Sequence, residues 1–134
     1  MRELRTLSIS IARNWKLVYE AVWRPEDFPR WASGLSQSQL TREDSEWWQA
    51  QGPDGPIRIR FSDHNAFGIL DHFVDLGNGR EIYVPMRIVA NAEGAEVLFT
   101  LFRQPEMTAE KFAADTAWVE RDLQALKALM ERAG

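Results

Sequence analysis

The segment SDHNAFGILDH, residues 62–72, contains both histidines of the chain, and each follows an aspartate. An imidazole next to a carboxylate can bind a metal ion or transfer a proton near neutral pH. The turn sequence NAFG within this segment predicts a β-hairpin. In the simplest register, Phe61 lies opposite Leu70 and Ile59 lies opposite His72. The chemistry available to the two histidines depends on this geometry.

The two histidines cannot share a zinc ion in that hairpin. His64 lies at the loop tip and His72 lies roughly 15 Å farther along the strand, whereas zinc requires ligand nitrogens about 2.1 Å from the metal. The chain has two histidines and no cysteine, so a third imidazole or a thiolate ligand is lacking. We therefore expect neither a metal site nor a cofactor, and a solvent-exposed loop position for His64.

His72 is the candidate for catalysis or ligand binding. Within GILDHFVD, His72 shares one strand face with Leu70 and Val74, while Asp71 and Asp75 share the other. Burying two carboxylates is costly, so we expect the His72 face to point inward. There His72 could orient a ligand or act as a general acid or base, with an unperturbed pKa of about 6.5. The alternative is a core histidine that bonds to a backbone carbonyl or a tyrosine.

Arg103 and Tyr83 are the other polar candidates. Arg103 continues the inward positions Phe99 and Leu101 of AEVLFTLFR. It would meet an acidic ligand group at the cavity mouth or pair with a helix carboxylate. Tyr83 lies in the strand EIYVPMRIVA, where Pro85 lacks an N–H and so marks a bulge or an edge. A bulge would turn Tyr83 inward; otherwise Tyr83 is exposed.

Other catalytic patterns are missing from the sequence. It contains no GxSxG, no HExxH, no glycine-rich phosphate loop and no CxxC. Neighbouring carboxylates such as Glu120 and Asp122 are expected on a solvated helix surface, not as a glycosidase pair.

The order of predicted elements is simple. A strand at 4–12 precedes two short helices, WKLVYEAV and a second that begins at Pro25. Polar turns separate a series of strands from SQSQLT to AEVLFTLFR, which predicts antiparallel hairpins and about seven strands in total. A long amphipathic helix follows at roughly 108–132, with Thr108 as its N-cap.

This layout resembles the α+β helix-grip fold, in which a curved antiparallel sheet wraps around the C-terminal helix and leaves a cavity. Residues 9–35, ISIARNWKLVYEAVWRPEDFPRWASGL, resemble the opening of the START-like or SRPBCC superfamily, specifically its polyketide cyclase/dehydrase-like branch. The resemblance covers essentially the whole chain and implies a single domain, 1–134. The superfamily includes lipid and hormone binders, aromatases and cyclases, oxygenase domains and chaperone cofactors, so the fold does not define the activity.

The inward faces of the strands and of the long helix would line the cavity. Trp47 and Trp48 face opposite sides of their strand. The spacing leaves open which of them faces inward, and Trp48 is included in the expected lining. The expected ligand-binding residues are His72, Arg103, Tyr83, Trp48, Phe61, Leu70, Met86, Phe99, Phe112, Thr116 and Val119. Alternatively, the aromatic rings fill the interior and leave no sizeable cavity.

Composition narrows the partners. The chain has 16 Lys and Arg against 20 Asp and Glu, a net charge of −4, which argues against a general nucleic-acid binder. No stretch approaches the ~20 apolar residues of a membrane helix, and the alternating N-terminus does not resemble a signal peptide. The lack of cysteine fits a reducing compartment, and we expect a cytoplasmic protein.

The sequence thus favours binding of a small hydrophobic or aromatic molecule between the sheet and the C-terminal helix. One alternative is a polyketide cyclase or aromatase-like enzyme that uses His72 as acid or base. Another is a protein-interaction module with an exposed apolar patch and no deep pocket. The oligomeric state is open, and a homodimer is compatible with the sequence.

Overall fold

The computed structural model describes residues 1–35, 39–52, 54–77 and 79–132. Within them the chain forms eight strands and two α-helices. The strands are β1 Leu4–Ile11, β2 Thr41–Arg42, β3 Trp47–Gly52, β4 Gly55–Phe61, β5 His72–Asp75, β6 Glu81–Val84, β7 Met86–Asn91 and β8 Gly94–Phe102. The helices are α1 Trp15–Val22 and α2 Ala109–Arg132, with short 3₁₀ helices at Pro25–Arg30 and Ser33–Leu35 between α1 and β2.

The strands form two antiparallel sheets, in the orders β1-β8-β7 and β2-β3-β4-β5-β6. The predicted α+β class with antiparallel strands and a long C-terminal helix is confirmed. The count of about seven strands was slightly low, because EIYVPMRIVA forms two strands instead of one. Pro85 separates β6 from β7, as expected for a residue that cannot donate a ladder hydrogen bond. β6 pairs with β5 and β7 pairs with β8, so the chain changes sheets at Pro85.

The segment just before β5 also changes from one pairing strand to another at this point. The Leu70 amide donates to the Met86 carbonyl at 2.8 Å, and the Ile88 amide donates to the Gly68 carbonyl at 2.9 Å. Residues 68–70 therefore pair with β7, whereas β5 itself pairs with β6. Asp71 lies at the junction between these two pairings.

The predicted register of the histidine hairpin was wrong by two residues. Phe61 pairs with His72, not Leu70, and Ile59 pairs with Val74. The connection is longer than NAFG because the Asn65 side chain organises it, accepting hydrogen bonds from the amide of Ile69 and donating to the same residue's carbonyl. A shift of two residues keeps every side chain on its original face, so His72 still points inward.

Helix α2 begins after the expected N-cap, since Thr108 Oγ1 accepts from the Lys111 amide at 3.0 Å. Its buried residues are Phe112, Asp122, Leu123, Leu126 and Met130. No helix of the described residues combines the length and apolar character needed to cross a membrane.

The C-terminal half of α2 is fastened to the end of β1. Lys127 Nζ donates to the Ser10 carbonyl at 2.8 Å, and Arg13 Nη1 donates to the Met130 carbonyl at 2.9 Å. The first half of the helix is thereby held over the five-stranded sheet. The strand predicted at SQSQLT falls partly on residues 36–38, which lie outside the described residues.

Candidate functional site

A cavity of about 360 Å³ lies between the first half of α2, the 3₁₀ helices and strands β4, β5 and β8. This volume is at the lower end of the range for small-molecule sites, about 300–1,000 Å³. The wall is mostly apolar because each strand contributes alternate residues from its inner face. The apolar side chains that line it include Phe28, Trp31, Ile59, Phe61, Val74, Phe99 and Val119.

Four of the residues predicted from sequence meet at this cavity. Phe61 comes from β4, His72 from β5, Phe99 from β8 and Val119 from α2. Their side chains belong to elements far apart in the chain, so the fold brings them together. The cavity therefore lies where the sequence placed it, between sheet and C-terminal helix.

Other predicted lining residues lie elsewhere. Leu70 and Met86 are buried in the hydrophobic core away from the cavity. Phe112 and Thr116 line a separate depression on the other side of α2. Trp48 does share the inner face with its partner Ile59, but it packs at the edge of the core beneath Arg42.

Tyr83 and Arg103 were included among the expected ligand-binding residues, but neither is among the described residues that line this cavity. The break at Pro85 does not turn Tyr83 inward; its hydroxyl donates to Asp71 Oδ2 at 3.1 Å on the outer face. Arg103 lies near the N-terminal end of α2, where its Nε donates to the Met107 carbonyl at 3.0 Å. Its Nη1 pairs with Glu3 at 3.1 Å, not with a helix carboxylate.

His72 combines a backbone hydrogen bond with a place in the cavity wall. Its Nδ1 lies 3.0 Å from the Leu70 carbonyl oxygen. A carbonyl only accepts, so Nδ1 carries the hydrogen. The side chain is buried among the rings of Phe28, Phe61 and Phe99. This burial lowers the pKa of His72 despite the opposing hydrogen bond to Leu70. At pH 7 and above the neutral form of the imidazole therefore predominates, and in that form Nε2 is a hydrogen-bond acceptor.

Asp122 is a site residue that the sequence reasoning missed. It was expected on a solvated surface but is 9% exposed and lines the cavity. Its Oδ1 accepts from the Ser33 amide at 3.1 Å and from Ser33 Oγ at 2.6 Å. Burial raises the pKa of Asp122, and the Ser33 hydrogen bonds oppose that rise. The helical spacing from Val119 to Asp122 and Leu126 was a signal that Asp122 shares the inner stripe.

Trp118 completes a polar chain at this end of the cavity. Its Nε1 donates to Ser33 Oγ at 2.5 Å, and Ser33 Oγ in turn donates to Asp122. At the mouth, Lys111 Nζ pairs with Asp115 Oδ1 at 2.7 Å. Trp118 and Asp122 thus line the cavity as members of one hydrogen-bonded chain, and Lys111 and Asp115 line it as an ion pair.

His64 lies at an exposed loop position, as expected, and its side chain also contacts helix α1. Its ring stacks on Trp23, with centroids 4.4 Å apart, and its Nε2 lies 2.6 Å from Glu20 Oε2 on α1. This contact fastens the loop between β4 and β5 to α1. Within the described ranges, no three side chains of His, Asp or Glu come together in a way that could hold a metal ion.

Comparison with known proteins gives a fold but no family assignment. No protein-family model matches the chain, and no curated protein matches it. An uncharacterised protein from Bacillus thuringiensis has a similar structure, with a TM-score of 0.75 and 16% identity over 95% of this chain and 98% of that one.

Two named proteins share the fold. The di-domain ARO/CYC BexL from the BE-7585A biosynthetic pathway has a TM-score of 0.74 and 16% identity, over 96% of this chain and 46% of BexL. Ara h 8.0201 has a TM-score of 0.70 and 8% identity, over 96% of this chain and 97% of that one. The chain therefore shares its fold with the di-domain ARO/CYC BexL and with Ara h 8.0201. At these identities the likeness concerns the fold alone.

Proposed function

We propose that the chain binds a small hydrophobic or aromatic molecule in the cavity between the five-stranded sheet and α2. The observation that carries the proposal is the cavity itself, whose volume of about 360 Å³ is lined mostly by apolar side chains. Burial of apolar ligand surface would supply most of the affinity, at ~25 cal/mol per Å². A protein-interaction module that fills its interior would not need such a space.

The comparisons support this reading at the level of fold. BexL is described as an aromatase/cyclase and shares the layout of sheet and C-terminal helix. We place the present chain with the polyketide cyclase/dehydrase-like branch as part of the same proposal.

Titration with an uncharged fluorescent probe, N-phenyl-1-naphthylamine, tests the proposal. Val119 lies on the cavity wall, so Val119→Trp fills the space that the probe would occupy. The matched control is Ala125→Trp, which adds the same ring at an exposed position of the same helix. We expect saturable fluorescence enhancement with the wild type and the control, and at least about tenfold weaker binding with Val119→Trp. Equal binding by all three proteins would refute a ligand site in this cavity.

A second candidate is a cyclase-like enzyme in which His72 acts as a general base. The unprotonated Nε2 of a buried, neutral imidazole favours this role, because such a nitrogen can accept a proton from a substrate. The test is a His72→Phe variant on any poly-β-ketone thioester that the wild type converts. Loss of at least about a hundredfold in turnover is expected for a general base, and full turnover by the variant would exclude it.

A further inference from the structure

We infer that the ligand of this cavity is a neutral aromatic molecule that carries a hydroxyl group, with the hydroxyl donating to Nε2 of His72. This inference rests on the proposed binding function and specifies the class of ligand. It follows from the hydrogen-bonding character of the cavity wall, taken group by group.

His72 offers a ligand an acceptor and no donor. Its Nδ1 hydrogen is committed to the Leu70 carbonyl at 3.0 Å, which leaves the lone pair of Nε2 as the second bonding position. Protonating Nε2 would place a cation in a buried position among three phenylalanine rings. A hydroxyl on the ligand donates to this nitrogen, whereas a carboxylate or a carbonyl presents a second acceptor to it.

The charges around the cavity oppose an anionic ligand. Its lining includes the carboxylates of Asp54, Asp115 and Asp122, and among the described lining residues Lys111 is the one cation. That cation is already paired with Asp115, at 2.7 Å. A fatty-acid carboxylate or a phosphate group would therefore enter a site with an excess of negative charge, at a cost in desolvation.

Three ligands with one ring system test the inference. Naphthalene, 2-naphthol and 2-naphthoate compete with N-phenyl-1-naphthylamine at pH 7.5, where 2-naphthol is neutral and 2-naphthoate is anionic. We expect 2-naphthol to bind about three- to tenfold more tightly than naphthalene, the gain from one hydrogen bond. We expect 2-naphthoate to bind at least about tenfold more weakly than 2-naphthol.

Two variants assign these preferences to named groups. His72→Phe keeps an aromatic ring and removes the acceptor, so naphthalene should still bind while the preference for 2-naphthol disappears. Asp115→Asn releases Lys111 from its ion pair, so the discrimination against 2-naphthoate should narrow several-fold, by about the worth of one ion pair. The ligand series on the wild type is decisive even if a variant does not fold.

The possible results distinguish a failure of the hydroxyl inference from a failure of the proposed binding function. Equal binding of naphthalene and 2-naphthol, tighter binding of 2-naphthoate, or a 2-naphthol preference that survives in folded His72→Phe would overturn the hydroxyl inference and leave the cavity proposal standing. Failure of all three ligands and of the probe to bind the wild type would overturn both.

Discussion

Asp71 and Arg87 form a two-bond ion pair at the place where the chain passes from one sheet to the other. Arg87 Nε lies 3.0 Å from Asp71 Oδ1, and Arg87 Nη2 lies 2.9 Å from Oδ2. The same carboxylate accepts from the Met86 amide at 2.9 Å and from the Tyr83 hydroxyl at 3.1 Å. Asp71 therefore bonds to residues on both sides of Pro85. Its hydrogen bonds link the end of β6 to the start of β7, where Pro85 interrupts the strand.

Asp71→Asn should destabilise the protein by about 1–3 kcal/mol at pH 7, the cost of weakening charge-assisted hydrogen bonds to a half-buried group. Burial raises the pKa of Asp71, but the Arg87 and Met86 hydrogen bonds outweigh it, and the net pKa lies below 3.8. The carboxylate's stabilisation is therefore present above about pH 3.8 and is lost as pH falls through the lower folded-state pKa. Urea unfolding at pH 7 and pH 2.5 should show the difference between wild type and variant shrinking at the lower pH. Asp63→Asn, at an exposed position in the preceding loop, is the control and should have little effect.

Gly68→Ala should destabilise the protein more than Gly79→Ala. Both glycines have positive φ angles, 71° and 75°, so an alanine strains the backbone at either position. A Cβ at Gly68 would also collide with the backbone carbonyl of Ile88, whereas a Cβ at Gly79 meets nothing within 4 Å. We expect about 1 kcal/mol for Gly79→Ala and at least ~2 kcal/mol more for Gly68→Ala, measured by thermal unfolding. Equal losses of stability in the two variants would mean that the Ile88 backbone shifts to accommodate the new Cβ at no cost.

Ser33→Ala should lower stability by about 1–3 kcal/mol, because it removes a hydroxyl donor from the buried carboxylate of Asp122. It should also raise the pKa of Asp122 further, since the Ser33 hydrogen bonds hold that pKa down against burial. Chemical denaturation and an NMR titration of the carboxyl carbon measure the two effects. The control is Ser10→Ala, whose hydroxyl donates to Glu96 at 2.6 Å on the exposed surface; its loss should be under ~1 kcal/mol.

His72 should make the protein sensitive to mild acid. Burial lowers the folded-state pKa of His72 below its usual 6.5, so the unfolded chain takes up a proton first as pH falls. The contribution of His72 to stability is then constant above about pH 7 and declines below pH 6.5, by at most about 1.4 kcal/mol per pH unit until the folded-state pKa is reached. In His72→Phe this contribution is missing, and the variant's stability should fall less than the wild type's between pH 7.5 and 5. Parallel curves for the two proteins would show that His72 titrates normally.

The face of the strand that carries His72 was predictable although its register was not. The cost of burying Asp71 and Asp75 predicted the inward face correctly. Because side chains alternate between the two faces of a strand, a register error of two residues left this prediction unchanged. The register itself depended on Asn65, whose side chain closes a longer loop than a turn motif indicates. Side-chain hydrogen bonds of this kind have no periodic signal in the sequence.

Asp122 and Tyr83 show the limits of treating polar residues by type. Asp122 was assigned to the surface because it is charged, but its helical position placed it on the inner stripe and Ser33, 89 residues away, satisfies it. Tyr83 was considered for the interior because of Pro85, but the break sends β7 into the other sheet and leaves Tyr83 on the outer face. In both cases a distant partner decided the outcome.

The single-domain organisation and the cytoplasmic location stay predictions from sequence.

Two of the six tryptophans, Trp31 and Trp118, belong to the cavity wall. Their indoles differ in surroundings, since Trp31 is 4% exposed and Trp118 is 37% exposed. An occupant of the cavity would touch both and would exclude water from Trp118, so the emission of the unlabelled protein should shift to shorter wavelength when the space is filled. The tryptophan fluorescence of the purified protein therefore reports whether the cavity is occupied, without an added label.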